Sequence, residues 1–337
     1  MSASAQAHED VKALTKKLRD FSVKYVKISE ADKAHSRELV ENYVKGQVMV
    51  YCEQNSALPI LRLEYAGSAY EGLKTEAANE VDIKVVLKTN RQEVTVEDSG
   101  IPGYVRIKGA KDSKLCKYAS SERYISPKRL RNRWFYRLVV KAANAFNSNS
   151  SVSDVQLVVR YHGPAIQLDI TRKGTGGVLL SVDLVPYIHI EGDYYFAPNG
   201  AHSKLSWKKS FSLMEKSLLQ HMDTDHGCRH ELLRIVKTIV NRELSSLPAL
   251  DSYHLKTAFM HYIEENPYNW SDQNSLGEHF IGFVGKLQAY LEEGRLPSYW
   301  LPAVNLLEGI KPRVVQNMAK RMKNILTKKG KRNKVLK

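Results

Sequence analysis

In the stretch GSAYEGLKTEAANEVDIKV, a Gly67-Ser68 turn is followed twelve residues later by Glu80-Val81-Asp82. Val81, Ile83, Val85 and Leu87 alternate with Asp82, Lys84, Val86 and Lys88, which predicts a strand with one apolar and one mixed face. Residues two apart on a strand face the same way, so Glu80 and Asp82 present both carboxylates to one side. Like charges that close are unfavourable unless a cation neutralises them. Hard oxygen ligands at this spacing suit Mg²⁺ or Mn²⁺. A third carboxylate from a neighbouring strand would complete a two-metal clamp, with ions roughly 3.5–4 Å apart serving the attacking and leaving oxygens of an in-line displacement. Asp169 in IQLDIT and Asp183 in SVDLVP are both candidates; each sits in an apolar strand pattern, where an unpaired Asp is costly. The backbone N–H groups and hydroxyl of Gly67-Ser68 can hold a triphosphate. An acid-x-acid strand alone is commonplace; joined to that turn and a later acid, it points to nucleotidyl transfer.

The surrounding elements follow from periodicity. Val11, Leu14, Leu18, Phe21 and Tyr25 form one helical stripe, with Lys12, Lys16 and Arg19 on the other side. A second helix is expected through about Tyr51, ended by Pro59, then a short strand Ile60 to Tyr65. Residues 90–120 read as loop-rich, and Pro127 to Ala145 as a helix with Pro127 in its first turn. Strands are expected at Val152–Tyr161, Ala165–Thr171 and Val178–Tyr187, the last two joined by the KGTGG turn. After Gly200 helices dominate, at 208–222, 228–244, 251–265, 275–292 and 311–327. The expected class is α+β and bilobal, with a mixed lobe over residues 1–200, a helical lobe over 201–327 (boundary near Ala201) and a basic tail over 328–337.

The net charge is +15, and Lys320 to Lys337 carries nine Lys or Arg and no acid. Without that segment the chain is still basic, at about +6, which favours a polyanionic partner through counterion release. The plain alternative is a solvated tail that only aids solubility. No apolar run reaches the ~18 residues of a membrane span, and the N-terminus has no secretory pattern. Cys52, Cys116 and Cys228 suggest neither a disulfide framework nor a four-thiolate zinc site, so cytosol or nucleus is the expected compartment.

The Gly67-Ser68, Glu80-x-Asp82 and later Asp arrangement resembles nucleotidyltransferases with a polymerase-β-like core. The blocks YISPKRLRNRWFYRLV (124–139), SWKKSFSLMEKSLL (206–219), SYHLKTAFMHYIEENP (252–267) and LPSYWLPAVNLL (296–307) are similar to those of cyclic GMP–AMP synthase and its cGAS-like receptor relatives, the Mab-21 domain family. The resemblance spans about residues 10 to 310. It implies that Gly67 and Ser68 contact nucleotide phosphates, that Glu80 and Asp82 bind two Mg²⁺ or Mn²⁺ ions, and that Asp183 rather than Asp169 is the third acid. It further implies that Lys237 reaches the triphosphate and that Ser252 and Tyr253 line a base pocket. Lys208, Ser210, Ser212 and Glu215 match positions that read the other nucleotide. Taken singly, Tyr253 reads as a core tyrosine, Lys237 as a solvated lysine, and Ser210 and Ser212 as helix N-terminal residues. The family's zinc-binding insertion is replaced by HMDTDHGCRH, 221–230, so no structural zinc is expected, and double-stranded RNA is implied ahead of double-stranded DNA as activator.

Lys12, Lys16 and Arg19, then Lys128, Arg129, Arg131 and Arg133, then Lys216 with Arg234 are the candidate duplex contacts. They suit readout of A-form RNA by shape and backbone. The implied activity is duplex-activated joining of ATP and GTP into a cyclic dinucleotide for innate immune signalling, with pairing of two copies on the duplex. The rivals are a catalytically silent Mab-21 interaction module and a synthase of linear oligonucleotides.

Overall fold

The computed structural model describes residues 3–68, 70–75, 79–149, 154–198, 204–272 and 275–337. The chain divides into two compact units: Ser29–Glu71 with Ala77–Lys216, and Met1–Ile28 with Gly72–Glu76 and Ser217–Lys337. The expected strand start at Val152 and the boundary near Ala201 lie outside the described residues.

The first of these units is built on a mixed sheet: β1 (Ile60–Ala66), β2 (Glu80–Leu87), β3 (Val94–Asp98), β4 (Tyr104–Gly109), β5 (Val155–His162), β6 (Ala165–Arg172), β7 (Val178–Ile190), β8 (Asp193–Phe196) and β9 (Ser206–Ser210). The order is β1-β2-β7-β8-β9-β4-β3, with β5 and β6 added beside β7. Strand β7 is the hub. It pairs in parallel with β2 from Glu80↔Ser181 to Leu87↔Ile188, and antiparallel with β6 up to Ile166↔Leu184 and β8 from Tyr187↔Phe196. Pro186 falls where β6 ends and β8 begins, so its missing N–H leaves no gap on that side of the ladder. One face of the sheet carries Val81, Ile83, Val85, Val182, Leu184, Leu168 and Ile170 into a core with Val44, Val48, Trp134 and Phe135. Those last residues come from the helical stretch running Glu30–Leu39, Val40–Met49 and Val50–Asn55, and from the one running Pro127–Arg129, Leu130–Tyr136 and Arg137–Asn149.

Two local expectations are corrected here. Residues 90–120 hold β3 and β4, with the short alternations Val94/Val96 and Val105/Ile107; the two strands pair with each other, and β4 pairs on its other side with β9. Residues 206–210 form β9 instead of opening a helix: Trp207 is buried and sits opposite Val105, and the helix starts at Ser212.

The second unit is helical, with helices Arg229–Arg242, Ser252–Glu265, Ser275–Glu293, Pro312–Thr327 and Lys329–Val335. The first helix, Ala3–Phe21, belongs to it and not to the mixed unit. Leu14, Leu18 and Phe21 enter a core with Leu276, Phe280 and Phe259. A Cβ at Gly277 would lie 2.6 Å from Thr15 Oγ1 and 2.8 Å from the Val11 carbonyl, so glycine there permits the close approach of the two helices. The basic C-terminal segment is folded onto the same helix. Val335 is buried, Lys17 Nζ donates to Asn333 Oδ1 at 2.9 Å, Lys329 pairs with Asp10 at 3.0 Å, and the Tyr25 hydroxyl donates to the Lys337 carbonyl. Among the described residues no helix is long and apolar enough to cross a membrane.

Candidate active site

The register of β2 and β7 places Asp82 directly opposite Asp183 and Glu80 opposite Ser181. Neighbouring strands lie ~4.8 Å apart and partners share a face, so Glu80, Asp82 and Asp183 project from one face of the sheet. The face continues across β6 and β5, where Gln167 is opposite Asp183, Asp169 opposite Ser181, and Arg160 opposite Gln167. The opposite face is the apolar core, so all the chemistry of this sheet region is segregated to one side.

The Gly67-Ser68 turn enters from the end of β1, where Ala66 pairs with Asp82. Gly67 has φ +76°, and a Cβ added there would lie 2.0 Å from Asp82 Oδ2. The Asp82 carboxylate therefore lies against bare backbone. The chain turns back at once, with the N–H groups of Tyr70 and Glu71 both donating to the Gly67 carbonyl at 3.1 Å.

The two candidates for the third acid have different surroundings. Asp169 is 1% exposed, and its oxygens are taken by Arg160 and by the Ser181 hydroxyl at 2.6 Å. Asp183 is 9% exposed, in register with Asp82, and meets the His162 ring, whose Nδ1 is 2.9 Å from Oδ2 and 3.2 Å from Oδ1. Burial raises the Asp183 carboxyl above the usual range; the His162 contact opposes that, and Glu80 and Asp169 add to it. Asp169 is thus a completed structural pair, whereas Asp183 meets a ring that is mostly exposed to solvent. No signal in the sequence pointed to His162, because the contact depends on the β5–β6–β7 register.

The residues matched to the second nucleotide gather along the same unit. Ser210 Oγ and Ser212 Oγ are 2.7 Å apart beside Tyr187, whose ionisation burial opposes strongly. Glu215 is buried, and Lys208 is exposed on β9 opposite Phe196. Lys84, from the acid face, is buried with its ammonium 5.2 Å from the Tyr187 ring centroid. Neither Lys84 nor Tyr187 was anticipated; Lys84 is the next outward position of the Glu80-Asp82 alternation and could have been read from it.

In the helical unit, Lys237 is buried and donates to the Leu73 carbonyl at 3.1 Å. Ser252 and Tyr253 open their helix behind the Asp251 cap; Ser252 is exposed, Tyr253 half-buried with the Lys256 ammonium 5.9 Å from its ring centroid. Segment 221–230 is held by Asp223, which accepts from the N–H groups of Arg229 and His230 and meets His230 Nδ1 at 2.7 Å. Cys228 Sγ lies 3.4 Å from Ser275 Oγ.

The candidate duplex contacts divide by exposure. Lys12, Lys16 and Arg19 are exposed along the first helix, as are Lys128, Arg129 and Arg133 in the mixed unit, although Arg129 also donates to the Ala119 carbonyl at 2.6 Å. The other three are half-buried and spend donors on backbone: Arg131 on Gly163, Lys216 on Tyr65 at 3.0 Å and Arg234 on Gly72 at 3.3 Å. Burial lowers the Arg131 and Arg234 pKa values, which marks them as fastenings more than as open phosphate contacts.

Among the described residues no three His, Cys, Asp or Glu side chains form a preassembled metal cage. The donor set nevertheless fits hard divalent cations. Three carboxylates share one face, two of them in register, and one lies against a bare glycine backbone.

A mixed sheet bearing aligned acids beside a small-residue turn defines a nucleotidyltransferase core of the polymerase-β-like α+β class. The profile of the Mab-21 protein nucleotidyltransferase domain matches residues 69–221, and that of the Mab-21 protein HhH/H2TH-like domain matches residues 228–324. The chain is 47% identical to cyclic GMP-AMP synthase-like receptor 3 of Stylophora pistillata over 97% of this chain and 99% of that protein. It is 23% identical to a cyclic GMP-AMP synthase-like receptor of Tribolium castaneum over 92% and 87%, and 25% identical to one of Aethina tumida over 78% and 74%. The chain belongs to the cGAS-like receptors of the Mab-21 family.

Proposed function

We propose that this nucleotidyltransferase is a duplex-activated sensor that joins ATP and GTP into a cyclic dinucleotide. The observation that carries the reading is the in-register pair Asp82 and Asp183 on one polar sheet face beside Gly67-Ser68. Glu80, Asp82 and Asp183 would hold two Mg²⁺ or Mn²⁺ ions, which when bound supply charge neutralisation at the attacking and leaving oxygens.

The chain's own groups account for the rest. The backbone N–H groups and hydroxyl of Gly67-Ser68 receive the triphosphate. Asp183 accepts the proton of the attacking ribose hydroxyl; a bond forms to the α-phosphorus and pyrophosphate leaves. Lys237 supplies a point charge to phosphate after giving up the Leu73 carbonyl. Tyr253 offers a flat face to a purine, with Ser252 beside it. Lys208, Ser210, Ser212 and Glu215 orient the second nucleotide. A second round of the same chemistry closes the ring, and the product serves innate immune signalling.

Double-stranded RNA is the activator in this reading. Lys12, Lys16, Arg19, Lys128 and Arg129 contribute its phosphate contacts, with double-stranded DNA as the runner-up and pairing of two copies on the duplex. The test is incubation with ATP, GTP and Mg²⁺ or Mn²⁺, with no polymer, double-stranded RNA or double-stranded DNA, the products being resolved by chromatography and mass. A cyclic product with RNA only supports the reading. A linear product identifies an oligonucleotide synthase. No product and no nucleotide binding identify a silent module.

A further inference from the structure

His162 is left without a role by the chemistry above, yet its ring meets Asp183 directly. It ends β5, immediately before a turn in which Gly163 has φ +55°. The pairings Arg160↔Gln167 and Gln167↔Asp183 place Arg160, and with it His162 two residues on, on the face of the acids. The ring reaches back so that one nitrogen, Nδ1, meets both oxygens of Asp183, at 2.9 and 3.2 Å.

The two ends of this contact are unequal. The Asp183 side chain is 12% exposed and the His162 side chain 57%. A buried carboxylate is therefore covered by a mostly solvated ring that can rotate away without leaving a cavity. The neighbouring Asp169 shows what a permanent arrangement on this face looks like: an always-charged guanidinium and a hydroxyl, one to each oxygen. At Asp183 one ring nitrogen, His162 Nδ1, is shared between both oxygens.

A donor placed there occupies the carboxylate edge that a cation also needs. On the face it shares with Glu80 and Asp82, the Asp183 carboxyl is met at that edge by the His162 ring nitrogen.

We propose that His162 is a displaceable stand-in for the divalent cation at Asp183, a latch that must release before the acid face can load. The proposal rests on the reading of Asp183 as the third acid. His162 is a positioning residue in this scheme: it acts through the carboxylate and not on the nucleotide. Its release is then a step at which cation loading is held back in the resting protein.

The test is a titration of the full-length chain with Mn²⁺ alone, following the free-ion signal by electron paramagnetic resonance. His162→Phe keeps a ring but has no donor at Nδ1; His162→Asn places an amide donor near the same point. The latch predicts that His162→Phe binds Mn²⁺ more tightly than the wild type, by about tenfold for one charge-assisted hydrogen bond no longer competing. His162→Asn should stay close to the wild type, a rescue that a merely structural role does not produce. Equal or weaker binding by His162→Phe, with melting temperatures alike, overturns the latch. If the wild type and Asp183→Asn titrate identically, the assignment of Asp183 as a cation ligand fails instead, and the two failures are told apart.

Discussion

The Asp82 carboxylate occupies the space that a side chain at Gly67 would need: a Cβ there would lie 2.0 Å from Asp82 Oδ2. Gly67 also has φ +76°, where a side chain is strained whatever the space. Gly67→Ala should therefore push Asp82 off the face and straighten the turn together. Nucleotidyl transfer should fall by at least about a hundredfold, consistent with an ångström-scale misplacement of a reacting group. Melting should drop by only about 1 kcal/mol equivalent, the usual left-handed penalty. Parallel activity and melting measurements check this.

The acids on this face should separate by stability. Asp169→Asn breaks the buried pair with Arg160 and Ser181 and should cost about 2 kcal/mol. Asp183→Asn removes a like charge beside Glu80 and Asp82 and should change stability by under about 1 kcal/mol while abolishing transfer. Denaturant unfolding of both variants decides it.

Acid sensitivity should localise partly to Asp223. Burial alone raises this carboxyl, but the hydrogen bonds from the His230 side chain and from the N–H groups of His230 and Arg229 outweigh it, and the net shift is downward. A depressed carboxyl contributes stability above its unfolded value, which is lost as pH falls through the folded one. From about pH 4 downward the wild type should lose melting temperature more steeply than Asp223→Asn, and at neutral pH the variant should melt lower. Melting curves across pH 3–7 check the sign.

The basic C-terminal segment should behave as part of the helical unit. Val335 is buried in its core, and Lys329 and Asn333 are tied to the first helix. Val335→Asp buries a charge without a partner and should cost about 2–4 kcal/mol. Hydrogen exchange should then speed up over both 329–335 and the first helix; unchanged exchange in the first helix would show that the segment is a mere appendage.

Much of this was legible in the sequence. The Glu80–Leu87 alternation located β2, and Asp183 within SVDLVP lies on the hub strand opposite Asp82. The helices of the second unit follow their apolar repeats within a few residues. What escaped was whatever depends on partners distant in the chain. Ala3–Phe21 shows an apolar stripe, but a stripe does not say which core receives it; Gly277 and Phe280 do. Strands β3 and β4 are too short for their alternation to stand out until β9 pairs with β4. Arg131, Lys216 and Arg234 look like surface cations because the carbonyls they bind lie 32, 151 and 162 residues away. His162 meets Asp183 only through an intervening strand.

The most direct measurement is pyrophosphate release from ATP and GTP, with Mg²⁺ or Mn²⁺ and double-stranded RNA, by the wild type, Asp183→Asn and Asp169→Asn. The account predicts release by the wild type, none above background from Asp183→Asn, and retained release from whatever fraction of Asp169→Asn is folded. Release from Asp183→Asn at the wild-type rate would contradict it, because the chemistry would then not belong to the face that Asp82 and Asp183 share.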